Sequence, residues 1–311
     1  MVRSVMHTSA REMILRTMRS SPLVTVAKRA VPDFVKTAVI AAIARGEEGR
    51  IDLGDGVTLS YPLDDFYWSR VADNIRDYEP EIWFVLDRFM TPETLFLDCG
   101  ANIGLWSCYA ALKAGHGRRV IAVEPGFKVS PHLLENCRRN HLNFTVRKNA
   151  IWSRSGESRV FFAYEGHASS SLVEDRAKKL LGRVEVETVT IDDAIEPVLK
   201  TAPGISDIIV KVDVEGVECA AIAGAAHTLD RENALLIYED HGSELASPVT
   251  ELCLGKDLNI YFYADGAVRR IGNTDEARAV KMDRRRGYNF FACMPESDFD
   301  ARLSALTACH A

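Results

Sequence analysis

The sequence contains a turn of the kind that lets a ligand approach the backbone closely. The segment FLDCGANIGLWS at 96–107 reads as a buried strand ending at Asp98, a turn with Gly100, Asn102 and Gly104, and the start of a helix. Glycines in such a turn admit the pyrophosphate of a dinucleotide to the helix N-terminus. Here Asn102 takes one of the glycine places and the spacing is shorter, which favours a ligand without phosphates.

A second acid stands at the end of the next predicted strand, where Glu124 precedes Pro125. A carboxylate at this place can accept hydrogen bonds from both hydroxyls of a ribose, because it offers several acceptor lone pairs. Asp98, at the end of the preceding strand, is placed to accept hydrogen bonds from a cationic amine. The turn and the two acids together predict a site for a ribose-containing ligand.

The segment DIIVKVDVEGVE at 207–218 brings ionisable groups to a strand that is predicted to be central. Lys211, Asp213 and Glu215 fall on one face of that strand, because side chains alternate between the two faces. Three such groups cannot lie unpaired in a dry interior. They are either paired for structural reasons or face a cleft at the carboxyl edge, where open α/β sheets bind ligands. We favour the cleft.

A third polar group, Glu239, Asp240 and His241, closes the following predicted strand. Histidine beside carboxyl groups can transfer protons, so a catalytic or substrate-binding role is open beside a plain loop role. Together with Asp213 these residues could also gather Mg²⁺ or Mn²⁺. No spacing demands a metal, and we predict none.

Strands and helices alternate over most of the chain. The predicted strands are Leu95–Asp98, Arg119–Val123, Phe144–Lys148, Ile208–Val212, Ala234–Tyr238, Asn259–Tyr263 and Tyr288–Met294. This succession predicts an α/β fold with a mostly parallel sheet and helices on both faces. Ahead of it, 51–61 reads as a hairpin that turns at Gly54-Asp55-Gly56, and 64–90 has helical spacing.

An insert at 152–195 interrupts the alternation and is longer than an ordinary loop. It reads as a hairpin around Ser155-Gly156, a serine cluster at 169–171, a charged helix near 173–181 and the strand-like run VEVETVTI. Because the insert leaves from the carboxyl edge of the sheet, it either covers a site there or decorates the surface.

The composition is that of an ordinary globular protein. Of its 311 residues, 47% are hydrophobic and 26% are charged, which excludes disordered and collagen-like chains. The net charge of -6 argues against nucleic acid as a partner. Seven cysteines without a CxxC pair support neither a zinc ribbon nor a disulfide scaffold, so we expect a reducing cytoplasm.

Basic residues concentrate at the N-terminus, where 1–50 holds nine Lys and Arg against four Asp and Glu. The apolar runs there are far shorter than the roughly 20 residues of a membrane span. We expect a helical extension that caps the main domain or joins a homodimer, with peripheral contact to an anionic membrane as the alternative. A hairpin and helical cap at 51–92 and a ligand-binding domain at 93–311 would follow it.

The motifs together resemble one known family. DCGANIG, VEP, and KVDVEGVE followed by a small-residue helix and IYED are similar to the FkbM-type methyltransferases, which are class I S-adenosyl-L-methionine-dependent enzymes. The resemblance covers about Tyr78 to Asp240. It implies a seven-stranded, Rossmann-like sheet whose last strand is antiparallel, and S-adenosyl-L-methionine as the cofactor.

The resemblance also implies which residues contact that cofactor. Carried over by position, they are Glu79, Asp98, Gly100, Asn102, Gly104, Glu124, Pro125, Asn149, Ala150 and Asp213. Glu124 would hold the ribose hydroxyls, and Asn149 with Ala150 would lie against the adenine. Glu79 would reach the methionine amine, and Asp213 would lie beside the transferred methyl group.

A methyltransferase that acts on a hydroxyl needs a base, because a neutral hydroxyl oxygen is a poor nucleophile. Asp213 is the first candidate, with His241 and Glu215 behind it, and Lys211 would keep Asp213 ionised. We therefore expect O-methylation of a hydroxyl on a sugar or other glycan, a polyketide or a related small molecule. An NAD-dependent oxidoreductase and a non-catalytic adaptor that keeps the fold are the alternatives.

Overall fold

The computed structural model describes residues 46–115, 117–164, 170–240, 246–282 and 288–308. Most of the basic extension predicted at 1–50 lies outside the described residues. The chain divides into two compact units, Met1–Ile75 and Arg76–Ala311. The segment predicted as hairpin and cap at 51–92 is therefore shared between the two units.

The described part of the first unit is a hairpin followed by a helix. Strand β1 (Glu48–Gly54) pairs antiparallel with β2 (Val57–Pro62), and the chain turns at the predicted Gly54-Asp55-Gly56. Helix α1 (Phe66–Asp73) is capped by Asp65, whose side chain accepts hydrogen bonds from two backbone N–H groups of the first turn. Such a cap satisfies donors that have no partner within the helix.

The second unit alternates strands with short helices, after a 3₁₀ turn at Ile75–Asp77. The helices are α2 (Pro80–Phe89), α3 (Leu105–Lys113), α4 (Ser130–Arg139), α5 (Ile191–Thr201), α6 (Glu218–Ala223), α7 (Ala226–Leu229), α8 (Pro248–Gly255), α9 (Thr274–Met282) and α10 (Asp298–Ala308). Within the described parts of the chain, no helix has the length and apolar composition needed to cross a membrane.

The main sheet has eight strands, in the order β12-β11-β13-β10-β9-β3-β4-β5. They are β3 (Thr94–Cys99), β4 (Val120–Val123), β5 (Thr145–Arg147), β9 (Asp207–Val212), β10 (Ala234–Glu239), β11 (Asn259–Ala264), β12 (Ala267–Ile271) and β13 (Asn289–Cys293). The run from β5 to β10 is parallel, and β13 is antiparallel to β10. All seven predicted strands are present, and the antiparallel last strand is confirmed. The eighth strand, β12, was not predicted.

The central strands are covered on both faces. Every residue of β3, β9 and β10 is buried, which is why these strands read as nearly continuous apolar runs. Strand β4, which follows β3 along the chain, lies on one side of β3, and β9, which comes later in the chain, lies on the other side. The strand order therefore reverses between β3 and β9, and ligands of open α/β sheets bind at the carboxyl end of such a reversal.

The insert forms a separate three-stranded sheet, in the order β6-β8-β7, from β6 (Ala150–Ile151), β7 (Ser158–Tyr164) and β8 (Leu180–Val189). The hairpin predicted around Ser155-Gly156 is wrong, because the strands on either side of that turn both pair with β8 and not with each other. The end of the insert is also different from the prediction, since α5 starts at Ile191.

The charged helix predicted near 173–181 is wrong as well. The described residues from 170 to 179 contain no helix: Ser171 forms an isolated β-bridge with Phe162, residues 176–177 form a turn, and β8 has begun by Leu180. The Asp175 side chain accepts a hydrogen bond from the backbone N–H of Ala177, and the Tyr164 hydroxyl accepts one from the N–H of Asp175. Side-chain bonds of this kind offer the backbone an alternative to a helix.

Candidate active site

The reversal between β3 and β9 contains a buried lysine between two carboxyl groups. Asp98 and Lys211 are direct neighbours in the register of the two strands. The Lys211 Nζ lies 2.9 Å from Asp213 Oδ2 and 3.6 Å from Asp98 Oδ1. Burial lowers the pKa of Lys211, but the neighbouring carboxylates outweigh burial and raise it above its usual value. Lys211 is therefore an ammonium, and it stabilises the carboxylate form of Asp213.

Asp98 offers an unused acceptor at this point. It is fully buried, and its Oδ2 accepts a 2.6 Å hydrogen bond from the Ser107 hydroxyl on α3. Its Oδ1 has no hydrogen-bond donor among the described residues, since 3.6 Å from Lys211 is too long for one. Burial raises the pKa of Asp98, and the charge of Lys211 opposes that rise. A ligand ammonium group would satisfy this oxygen.

Gly100 and Gly104, in the turn after β3, lie so close to other parts of the chain that a side chain would not fit there. Gly100 has φ +81°, and a Cβ there would lie 1.8 Å from the backbone oxygen of Asp213. Gly104 has φ +95°, and its Cβ would lie 2.6 Å from the side chain of Leu133. These positions bring the turn into close contact with the loop after β9 and with α4. Asn102 is also left-handed, with φ +52°.

Glu124 at the end of β4 points to the same turn. Its Oε2 accepts a 2.8 Å hydrogen bond from the N–H of Asn102, and its Oε1 accepts a 2.7 Å bond from the N–H of Gly126. Burial raises its pKa to about 7, although the two backbone donors act in the opposite direction. Each oxygen keeps a further lone pair, so the carboxylate can still accept two hydroxyls. The adjoining Pro125 is half-buried.

Glu79 reaches the site from the start of α2. It has a left-handed backbone with φ +45°, and its Oε2 accepts a 2.8 Å hydrogen bond from the Trp106 indole on α3. Burial and the charge of Asp213 raise its pKa to about 7, and Lys211 and the Trp106 bond oppose the rise. The structure thus brings Glu79, Lys211 and Asp213 together, although they are far apart in sequence.

Glu239 at the end of β10 joins the site through Asp213. Glu239 is only 4% exposed, and it lies close enough to Asp213 for the charge of Asp213 to act on it. Burial and then the nearby charge of Asp213 raise the pKa of Glu239 well above its usual value. Asn289, its register neighbour on β13, is also buried.

Asp240, which directly follows β10, has other partners. Asp240 is fully buried and accepts hydrogen bonds from the Thr250 hydroxyl at 2.5 Å and the Thr250 N–H at 3.1 Å, so it is engaged by α8. His241 lies outside the described residues. Across the residues that the structure describes, no three His, Cys, Asp or Glu side chains are arranged to hold a metal ion.

Glu215 is not on the strand, and neither is Asp213, so the expectation that Lys211, Asp213 and Glu215 share one face of a strand is wrong. β9 ends at Val212, and Glu215 lies in the following loop with φ +55°. Burial and the charge of Asp213 raise its pKa to about 8. Its backbone oxygen accepts a 2.5 Å hydrogen bond from the Ser171 hydroxyl, so the insert contacts the loop that follows β9.

Asn149 and Ala150 lie between β5 and the sheet of the insert. The Asn149 amide donates a 3.2 Å hydrogen bond to the backbone oxygen of Glu187 on β8. Ala150 begins β6 and packs in a small core with Phe161 and Val186. Both residues thus connect the main sheet to the insert.

Several residues that shape the site were not singled out from the sequence. They are Trp106, Ser107, Asn136 and, as a neighbour of Asp213, Glu239. Asn136 is buried on α4 and donates a 2.9 Å hydrogen bond to the backbone oxygen of Ile103 in the turn. Trp106 and Ser107 stand inside FLDCGANIGLWS, at the start of the helix that follows the turn. Their place in the sequence could have indicated that they hydrogen-bond to acids of the site, as they do to Glu79 and Asp98.

The arrangement can bind a ligand that carries an amine and a pair of hydroxyls, and can accept a proton beside it. Asp98 and Glu124 supply the acceptors, and Asp213 supplies a carboxylate whose side chain is 21% exposed. These are the groups that a nucleoside with a cationic side chain and a hydroxyl-bearing substrate would need.

Comparison with solved structures finds methyltransferases of low similarity. A methyltransferase FkbM from Methylobacillus flagellatus is 18% identical, with a TM-score of 0.39 over 65% of this chain and 44% of that chain. A SAM-dependent O-methyltransferase from Thermotoga maritima is 11% identical, with a TM-score of 0.39 over 80% of this chain and 77% of that chain. The present chain thus spans under half the length of the Methylobacillus chain. No conclusion about function rests on these likenesses.

The family comparison is more direct, whereas none of the curated proteins compared with the chain matches it. The pattern described as the Methyltransferase FkbM domain matches residues 98–289, which is more than half of the chain. The match begins at Asp98, includes the turn, the insert and the Lys211 strand, and ends at Asn289 opposite Glu239. Because this match covers more than half of the chain, the chain belongs to the FkbM family of methyltransferases.

Proposed function

We propose that this protein transfers the methyl group of S-adenosyl-L-methionine to a hydroxyl of a small molecule, such as a sugar or other glycan, or a polyketide. The observation that carries the proposal is the Asp213 carboxylate. The buried Lys211 ammonium lies 2.9 Å from this carboxylate, which remains partly exposed. The carboxylate lies at the carboxyl edge of the main sheet, where the strand order reverses between β3 and β9.

The described residues fit the cofactor that the family uses. Asp98 Oδ1 is a buried acceptor without a donor, which suits the amine of the methionine part. Glu124 keeps lone pairs for the two ribose hydroxyls while two backbone N–H groups hold it in place. When bound, S-adenosyl-L-methionine supplies a methyl group on a positively charged sulfur. Asn149 and Ala150 are the residues we assign to the adenine.

The protein contributes positioning and a base. Methyl transfer is an in-line displacement, so most of the acceleration can come from holding the acceptor oxygen in line at near-contact distance. The acceptor hydroxyl must lose its proton, and Asp213 is the group we assign to receive it. Lys211 keeps Asp213 ionised before the transfer. Glu215 is the second candidate for the base, because it lies in the same loop.

The net charge of the chain is -6, which disfavours nucleic acid as a substrate. The six cysteines that the structure describes are free thiols, which supports the cytoplasm as the compartment.

The first experiment tests the cofactor. A ligand that binds only the folded state raises the melting temperature, so titration with S-adenosylhomocysteine should stabilise the protein, whereas NAD should not. Stabilisation by NAD alone would overturn the proposal in favour of an oxidoreductase.

The second experiment tests the base. With methyl-labelled S-adenosyl-L-methionine and a panel of hydroxylated acceptors, Asp213→Asn should lower turnover about 100-fold or more and leave S-adenosylhomocysteine binding unchanged. Asp207→Asn is the matched control, because Asp207 lies at the opposite end of β9 and pairs with Arg302. Full activity in Asp213→Asn would transfer the role to another group. Cofactor binding without turnover on any acceptor would favour the adaptor.

A further inference from the structure

The insert contacts the carboxyl edge of the main sheet at two separate places. The ring of Phe127, just after β4, lies so close to Gly182 on β8 that a Cβ on Gly182 would be 3.0 Å from the Phe127 Cζ atom. The Ser171 hydroxyl donates a 2.5 Å hydrogen bond to the backbone oxygen of Glu215, just after β9. Strands β4 and β9 lie on opposite sides of β3 in the sheet. The insert therefore extends across the end of β3.

Both contacts lie next to groups of the candidate site. Phe127 directly follows Gly126, whose N–H donates a 2.7 Å hydrogen bond to Glu124 Oε1. Glu215 lies two residues after Asp213, in the loop that follows β9. The end of β3 and the turn that follows it lie between the two contacts. The insert thus crosses the sheet edge beside the groups that we assign to the cofactor and to the base.

Ser171 is held in a fixed place within the insert. Its backbone N–H and C=O both pair with Phe162 on β7, at 3.1 and 2.8 Å. Its hydroxyl accepts a 3.0 Å hydrogen bond from the N–H of Val173, and the residue is only 6% exposed. Because a hydroxyl has one proton to donate, that proton goes to the Glu215 oxygen. Ser171 thus connects β7 to the loop after β9 through one oriented bond.

The loop after β9 has a strained backbone that needs such support. Glu215 has φ +55° and Gly216 has φ +90°, and a left-handed backbone at a residue other than glycine persists only where its surroundings hold it. The Glu218 carboxyl group accepts hydrogen bonds from the N–H groups of Val214 at 3.3 Å and Gly216 at 2.9 Å. The peptide between Glu215 and Gly216 is therefore held at its N–H by Glu218 and at its oxygen by Ser171.

The same loop carries the side chains that we propose as bases. The Asp213 N–H donates a 3.1 Å hydrogen bond to the backbone oxygen of Cys99, and the Asp213 carboxylate lies 2.9 Å from the Lys211 ammonium. Burial and the charge of Asp213 raise the pKa of Glu215, as expected for two acids that lie close together. The directions of both side chains depend on the course of the loop, so a bond that fixes the loop also fixes the acids.

We infer that the insert is part of the active site, and that Ser171 is a positioning residue which holds the loop of Asp213 and Glu215 in its binding conformation. Ser171 acts through the Glu215 backbone and not on a ligand. The inference rests on the proposed function for the identity of the ligand, S-adenosyl-L-methionine. Because the insert lies across the edge assigned to this ligand, a weaker connection between insert and loop should let the ligand leave faster.

Release of S-adenosylhomocysteine tests the inference. In Ser171→Ala, dissociation measured by stopped-flow fluorescence should become about three- to tenfold faster, which is the range expected for the loss of one neutral hydrogen bond. Ser171→Thr keeps a hydroxyl and should release the ligand like the wild type. Ser170→Ala is the matched control, because the Ser170 hydroxyl accepts a 3.4 Å hydrogen bond from the Tyr164 N–H within the insert. It should also release the ligand at the wild-type rate.

Hydrogen exchange gives a second readout, which needs no ligand. In Ser171→Ala the amides at 213–218 should exchange faster than in the wild type, because the loop has lost a support. A role confined to the stability of the insert would raise exchange at 170–189 alone, as we expect for Ser170→Ala. Binding of S-adenosylhomocysteine to the wild type should slow exchange in both segments.

The outcomes separate the inference from the proposed function. If Ser171→Ala releases S-adenosylhomocysteine like the wild type, or if Ser170→Ala accelerates release equally, the inference is wrong and the proposed function stands. If the wild type does not bind S-adenosylhomocysteine, the proposed function fails. Exchange at 213–218 in ligand-free Ser171→Ala then decides whether Ser171 holds the loop, and unchanged exchange there would overturn that part as well.

Discussion

Replacing Lys211 by methionine tests the arrangement on which the site depends, without reference to any ligand. The ammonium lies between the Asp98 and Asp213 carboxyl groups, at 3.6 and 2.9 Å, and its side chain is only 2% exposed. Methionine has a similar volume, so the cavity effect is small. What the variant loses is the charge that compensates the buried Asp98 and the partly exposed Asp213.

The expected loss is large, because removing one member of a buried ion pair leaves an uncompensated charge and costs about 3–5 kcal/mol. For a unit of this size each kcal/mol lowers the melting temperature by roughly 2–4 °C, so Lys211→Met should melt roughly 6–20 °C below the wild type. Burial raises the pKa of Asp98, and the charge of Lys211 opposes that rise. Without Lys211 the pKa of Asp98 should rise further, and protonation of Asp98 then removes its repulsion with Asp213. The deficit should therefore shrink at acidic pH and grow as the pH rises.

Thermal unfolding followed by circular dichroism measures this difference. Lys200→Met is the control, since Lys200 pairs with Glu196 on an exposed face of α5 and should change the melting temperature little. The double variant Lys211→Met with Asp213→Asn should recover part of the loss, because one of the two acids is then neutral. A Lys211→Met protein that melts within about 2 °C of the wild type at neutral pH would refute the charge compensation of Asp98 and Asp213 by Lys211.

Two further predictions concern the cofactor site. Glu124→Gln should weaken S-adenosylhomocysteine binding by about 1–3 kcal/mol, measured by calorimetry, because charge-assisted hydrogen bonds are lost. With a pKa of about 7, Glu124 should also make wild-type affinity fall as the pH drops below 7, while Glu124→Gln stays flat. Equal affinities would remove Glu124 from the site. Gly100→Ala should destabilise the protein by at least about 2 kcal/mol, because its Cβ would meet the Asp213 backbone at 1.8 Å. Gly156→Ala has a similar φ but open space around its Cβ, so chemical denaturation should show only about 1 kcal/mol; equal losses would contradict the close contact.

The strands of the sheet were predictable where burial on both faces left an apolar run. DIIVKV and ALLIYE are fully buried in β9 and β10, and they read as strands without further help. Strand β12 was missed because it is an edge strand, and in AVRRI only Val268 and Ile271 are buried. The charged helix near 173–181 was a wrong prediction because bonds from Tyr164 and Asp175 hold that segment in a non-helical conformation. Local propensity carries no record of such contacts.

The sequence was enough to place Asp98 and Glu124 at one edge of the sheet, since parallel strands have their carboxyl ends at the same edge. The sequence did not show which other side chains meet there, because those contacts depend on the strand order and on the loops. Glu79 enters through the Trp106 indole, and Glu215 leaves the strand face because β9 stops at Val212.

The sequence by itself determined the alternation of strands and helices and the acids that end the strands, because the spacing of apolar residues and the place of turns are local properties. Only the tertiary structure decided that Lys211 compensates two acids and that Glu239 is buried at the same edge. Charge compensation requires burial and contact between neighbouring strands, and both arise only when the sheet is assembled.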